Sequence, residues 1–217
     1  MTNLILLGDS IFDNGVYVPG EPALVTQLNS LLIDKSRATL LAVDGHITRD
    51  VVNQARQIPG DATHLFVSVG GNDALGAVHI LHHEGSAQEV LHELTLVQNE
   101  FRTNYTLMLD NLRERNLPFT VCTVYDSVPD MEQITHDSAV AALSLFNDVI
   151  VREAVSRGLP IIDLRSVCDS HEDYSNVSPI EPSAIGGEKI ARAIRNVFMH
   201  HNFNAGQSAI FGHPSIA

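Results

Sequence analysis

The chain opens with Asn3-Leu4-Ile5-Leu6-Leu7-Gly8-Asp9-Ser10, an apolar run that stops at a glycine, an aspartate and a serine. A continuous apolar run of this length, without alternation, predicts a strand covered on both faces. That is the pattern of a parallel sheet packed between helices. Such sheets bind their ligands at the carboxyl ends of the strands, so the run sets the Ser10 hydroxyl where chemistry is expected. Gly70-Gly71-Asn72-Asp73 follows another apolar run in the same way.

Working outward, five runs read as strands: 3–7, 38–43, 65–69, 119–125 and 160–164. Helical stretches separate them. Residues 22–32 are amphipathic through Leu24, Leu28 and Leu31. Thr48 is expected to cap a helix that reaches about Ile58, where Pro59-Gly60 stops it. Ser86 and Glu89 have capping-box spacing. They precede one long apolar face of Leu94, Val97, Phe101, Tyr105, Met108 and Leu112. Two more helices are expected over 136–156 and 187–198. Strands alternating with helices predict a three-layer α/β/α sandwich with right-handed crossovers. The length of 217 residues fits one domain. We assign that domain to residues 1–199 and a C-terminal tail to 200–217. Ile210 and Phe211 are the tail's anchors, placed to dock on the surface or on a second copy in a homodimer.

Thirteen basic against 26 acidic residues leave a formal charge of −13, and Lys35 and Lys189 are the only lysines. Nucleic acid and anionic membrane surfaces, which need dense Lys and Arg, are excluded as partners. The apolar stretch at Leu4 to Leu7 is too short for a signal segment, and nothing approaches a membrane span. Cys122 and Cys168 are far apart and form neither a disulfide framework nor a metal spacing. A reduced, cytoplasmic setting is expected. His79, His82 and His83 cluster without a firm third ligand for a metal.

A serine hydroxyl is a weak nucleophile until a base stands beside it. At the end of the first strand, the N–H and hydroxyl of Ser10 would point to the same place, which is half of an oxyanion hole. The amide of Gly45, after the second strand, is a candidate second donor. The side-chain amide of Asn72, after the third, is a candidate third. Asp9 and Asp73 are expected to fix their turns through backbone bonds. Each residue alone has an ordinary turn explanation. Together, on one rim of a parallel sheet, they point to acyl chemistry.

With these blocks in place, the chain resembles the SGNH (GDSL-like) hydrolase superfamily. Leu6-Leu7-Gly8-Asp9-Ser10-Ile11-Phe12-Asp13-Asn14 matches its first block, with Ser10 as nucleophile. Gly45 matches the second block's glycine, and Gly70-Gly71-Asn72-Asp73 matches the third, with Asn72 as oxyanion donor. The resemblance implies a flavodoxin-like five-stranded sheet of order 2-1-3-4-5. It also implies hydrolysis of a small-molecule carboxylic ester through an acyl-serine, with no metal or organic cofactor.

The fourth block departs. The superfamily carries Asp-x-x-His before the last helix, often followed by proline. Here the stretch is Ser175-Asn176-Val177-Ser178-Pro179-Ile180-Glu181-Pro182-Ser183. Aligned on Pro179, Ser175 takes the Asp position and Ser178 the His position, and neither has a pKa suited to a base. Three solutions stay open. Glu181, Asp173 or His171 from the same region could substitute, a carboxyl doing so if burial raises its pKa. His46 could reach in from the second block. Or the site has no base and only binds an acyl or anionic ligand. A metal-dependent phosphoesterase built on Asp9, Asp13 and Asp73 would need three carboxylates converging on one ion. The segments 74–85 and 126–136 are expected to shape the pocket.

Overall fold

The computed structural model describes residues 2–126 and 132–212. In chain order the elements are β1 (Asn3–Gly8), α1 (Leu24–Leu31), β2 (Arg37–Leu40), α2 (Thr48–Ala55), β3 (His64–Ser68), α3 (Gly71–Gly76) and α4 (Ala87–Arg113). Then follow β4 (Phe119–Cys122), α5 (Gln133–Ser156), β5 (Ile161–Ile162), α6 (Leu164–Val167), α7 (Ala184–His200) and β6 (Ile210–Phe211). The strands form one parallel sheet of order β2-β1-β3-β4-β5-β6.

The expected order 2-1-3-4-5 is present, but the sheet has six strands, not five. The tail supplies the sixth: Ile161 N–H donates to the Ala209 carbonyl at 2.9 Å and Asp163 N–H to that of Phe211 at 2.8 Å. Ile210 and Phe211 thus dock on the sheet of their own chain. A two-residue strand carries no periodicity, so nothing local announces it.

Period two divides the strand side chains between two cores. Ile5, Leu7, Leu65, Val67, Phe119, Val121 and Ile161 pack with α2, α4 and α5. Leu4, Leu6, Phe66, Cys122 and Ile162 pack with α1, α6 and α7. Leu4 to Leu7 are each wholly buried, which is why β1 shows no alternation. Truncating one of them to alanine would cost about 2–5 kcal/mol.

Ser86 and Glu89 cap α4 as expected, the Ser86 N–H donating to Glu89 Oε2 at 2.7 Å and the Glu89 N–H to Ser86 Oγ at 3.3 Å. Thr48 differs from expectation. It is the first residue of α2, and its N–H and hydroxyl both donate to Asp73 Oδ2, at 3.0 and 2.9 Å. A carboxylate brought in from α3 supplies the cap. Segment 74–85 lies on the rim as expected, carrying the end of α3 and a 3-10 turn, Val78–His82. Of segment 126–136, residues 127–131 lie outside the described residues.

Candidate active site

In a sheet of order 2-1-3-4-5 the strand sequence reverses direction at β1, and the crevice between the ends of β1 and β3 is the natural binding place. Gly8 pairs with Ser68 at those two ends. Its φ is +126°, and an added Cβ would lie 1.7 Å from the Ser68 carbonyl oxygen. Only glycine lets β1 leave the sheet this close to β3. Gln54 fixes the same peptide from α2: its Nε2 donates to the Gly8 carbonyl at 2.7 Å and its Oε1 accepts the Gly8 N–H at 2.8 Å. Sequence reading missed Gln54. Its signal was a polar residue on the inward face of α2, three residues after the buried Val51.

Ser10 stands two residues beyond this point. Asp9 Oδ1 accepts the Ile11 N–H at 3.1 Å and holds the turn. Gly45 lies past β2 with φ +78° and open space where a Cβ would be. The N–H groups of Ser10 and Gly45 are taken up by no described hydrogen bond. Asn72 lies in the first turn of α3, where its Nδ2 donates one hydrogen to the His46 carbonyl at 3.0 Å. That bond ties α3 to the loop bearing Gly45 and leaves the second amide hydrogen free to donate.

Ser10 Oγ donates to Glu181 Oε1 at 3.0 Å, both residues being buried. Four bonds fix the Glu181 loop. Tyr125 donates its hydroxyl to the Ile180 carbonyl at 2.7 Å, and Asn14 Nδ2 donates to that of Pro182 at 3.3 Å. Glu181 N–H donates to the Ser178 carbonyl at 3.1 Å, and Ser175 N–H to that of Glu181 at 2.8 Å. Two residues on, Ser183 Oγ caps α7 by accepting the N–H groups of Ile185 and Gly186. Burial, aided by the nearby Asp44 charge, pushes the Glu181 carboxyl up to about 7 against the pull of the Ser10 hydroxyl. Burial also holds Asp9 well above the ordinary carboxylate range and raises Asp73 despite its bonds from Thr48.

The two serines of the fourth block make their bonds elsewhere. Ser175 Oγ donates to the Tyr17 carbonyl at 2.6 Å, and Ser178 serves through its backbone carbonyl. Neither stands at Ser10. Pro182 is a second proline in this stretch, directly after Glu181. Asp173 is buried and held by Lys189 Nζ at 2.8 Å and the Ser170 N–H at 3.0 Å. His171 is exposed at the start of the 3-10 turn His171–Asp173. His46 shares its Nδ1 with Gln54 Nε2 at 2.9 Å. Among the described residues, no three or more His, Cys, Asp or Glu side chains form a group that could hold a metal.

Ser10, Asn72 and Glu181 line one wall of a cavity of about 170 Å³. Asp9, Ser68 and Tyr125 also line it, and the remainder is largely apolar, with Leu81, Leu94, Leu143 and Phe146 inside and the half-exposed Leu75 and Val78 on the rim. A serine bonded to a carboxylate, flanked by unpaired N–H groups and an apolar hollow, is an arrangement suited to acyl transfer. A family model described as "GDSL-like Lipase/Acylhydrolase family" matches residues 6–187.

The chain belongs to the GDSL-like lipase/acylhydrolase family.

Solved structures with the same GDSL-like fold include an extracellular lipase from Streptomyces rimosus. It is 17% identical with a TM-score of 0.67, the match covering 90% of this chain and 99% of that one. A lipase from a goat rumen metagenome is 20% identical with a TM-score of 0.69, over 90% and 97% of the two chains. A phospholipase A1 from Streptomyces albidoflavus is 16% identical with a TM-score of 0.68, over 90% and 98%. No curated protein sequence matches this one. Among the described residues, no helix of this GDSL-like chain is long and apolar enough to cross a membrane.

Proposed function

We propose that this GDSL-like chain is a serine ester hydrolase in which Glu181 takes the proton-transfer role of the superfamily's histidine. The Ser10 Oγ–Glu181 Oε1 contact at 3.0 Å carries the reading. A carboxyl raised to about 7 has the acidity that suits a base at neutral pH. Ser10 Oγ bonds to the ester carbonyl carbon as its proton passes to Glu181. The resulting oxyanion is met by the N–H groups of Ser10 and Gly45 and by the free amide hydrogen of Asn72. Glu181 then gives its proton to the departing alcohol oxygen as the C–O bond breaks, leaving acyl-Ser10. A water repeats the cycle: its proton goes to Glu181, its oxygen to the acyl carbon, and the proton returns to Ser10 as the acid leaves.

A histidine base becomes a cation beside the oxyanion. A glutamate base only becomes neutral, so the negative charge moves from carboxylate to oxyanion and the three donors carry its stabilisation. One such donor is typically worth about 3 kcal/mol.

The test is trapping with a fluorophosphonate, with the labelled residue located by mass spectrometry. Label on Ser10, none in Ser10→Ala and slowed labelling in Glu181→Gln are expected. Label elsewhere, or equal labelling of Ser10→Ala, overturns the reading. The low exposure of Ser10, 4%, favours a second reading, a receptor that binds acyl ligands without turnover. Its mark is ligand affinity with no burst of acyl-enzyme.

A further inference from the structure

Resting on the ester-hydrolase reading, we infer that the substrate joins an apolar acyl group of about six carbons to an uncharged or cationic alcohol, anionic alcohols being excluded. The acyl part follows from the cavity. At about 170 Å³ it is close to the ~150 Å³ apolar cavities that stay dry and accept a benzene-sized guest. Among the described residues Asp9 and Glu181 are its only ionisable carboxylates, and Glu181 Oε2, in a 7% exposed residue, has no hydrogen-bond partner there. The pocket thus has a largely apolar floor and one unanswered polar atom beside the reacting hydroxyl.

The alcohol part follows from the rim beside Gly45. Asp44 accepts the Tyr17 hydroxyl at 2.9 Å, and Asp13 Oδ2 accepts the Asp44 N–H at 3.1 Å. Ser175 Oγ donates to the Tyr17 carbonyl, so this acidic edge lies against the segment that carries Glu181. Electrostatic coupling runs across the gap. The Asp44 charge acts on Glu181, while burial, Asp44, Glu181 and Asp13 push the Tyr17 phenol up to about 12. Asp13 and Asp44 therefore put negative charge on the rim next to Glu181, and none of the three is in an ion pair among the described residues. Arg49, towards Asp73, is held by Glu100 at 2.7 Å. A leaving group with its own negative charge would meet repulsion that only salt relieves.

Three hexanoyl esters of nearly equal shape test this: those of choline, of 3,3-dimethylbutan-1-ol and of 2-hydroxyethanesulfonate. The readouts are kcat/KM with the native protein and Kd with Ser10→Ala, so the charge preference is measured whether or not turnover occurs. The choline and neutral esters should exceed the sulfonate by about tenfold at low salt. The ratio should shrink in about 0.5 M salt and in Asp44→Asn. Equal values, a preference for the sulfonate, or binding of none of the three overturns the inference. The expected Kd ratio without any turnover would leave the inference standing and remove the hydrolase reading instead. Across acetyl, hexanoyl and dodecanoyl esters of the neutral alcohol the hexanoyl should lead, and a dodecanoyl optimum would overturn the acyl assignment.

Discussion

Replacing Glu181 by glutamine should stabilise the protein at high pH while removing the carboxylate bonded to Ser10. The Glu181 carboxyl moves from an ordinary 4.5 to about 7 on folding, chiefly through burial. The folded state therefore holds the proton more tightly than the unfolded chain. Below pH 4.5 both states are protonated and the group contributes nothing. Between 4.5 and about 7 stability falls as pH rises, and above 7 the whole deficit is present. At 1.36 kcal/mol per pKa unit the deficit is about 3 kcal/mol. Glutamine has no charge to desolvate, and its Oε1 can still accept the Ser10 hydroxyl. It does bury an N–H where Oε2 lacks a partner, a cost that is the same at every pH. The decisive quantity is thus the change with pH of the difference between the two proteins. Urea unfolding from pH 4.5 to 8.5 should show Glu181→Gln gaining about 3 kcal/mol on the native chain across that range, roughly 6–10 °C in Tm for a domain of this size. Parallel stability curves would refute the placement of Glu181 as a buried carboxylate bonded to Ser10.

The same ionisation should appear in catalysis: kcat/KM should rise with unit slope to an apparent pKa near 7, the value burial gives Glu181, and sit at about 1% of its plateau at pH 5. A profile flat across pH 5–8 would contradict Glu181 as base. Asn72→Ala should lower kcat roughly a hundredfold with little change in KM, as steady-state kinetics would register. Gly8→Ala, whose Cβ would sit 1.7 Å from Ser68 O at a φ of +126°, should cost more than about 3 kcal/mol in denaturant unfolding. Tyr125→Phe, which loses the 2.7 Å bond to the Ile180 carbonyl, should cost about 1–2 kcal/mol. Its turnover should drop severalfold as the Glu181 loop loosens.

What the sequence disclosed follows from which interactions are local. Leu4 to Leu7 announce their strand because both faces of β1 are covered, and Ser86 with Glu89 announces α4 because a capping box lies within four residues. Asp73 capping α2 spans 25 residues of sequence, so from sequence alone Thr48 looks like the cap it only accompanies. The short helix α3 was hidden by Gly70-Gly71, a poor helix start that the turn out of β3 nevertheless requires, Gly70 having φ +128°. Ser10, Gly45 and Asn72 stand out as candidates because each follows an apolar strand. Glu181 was one of four candidates and could not be singled out. Pro179 and Pro182 both serve as landmarks, and the bonds from Tyr125 and Asn14 that set Glu181 beside Ser10 reach too far along the chain to be read locally.

The tail strand β6 has a consequence beyond topology. It covers the outer backbone of β5, the last strand before solvent, with a segment that arrives only after α7 is complete. A chain ending at residue 199 would keep Ser10, Asn72 and Glu181 yet leave that row of N–H and carbonyl groups bare, a template on which other copies could add strands. The tail thus closes the sheet's last edge, at the far side from the β1 and β3 ends where Ser10 and Asn72 stand.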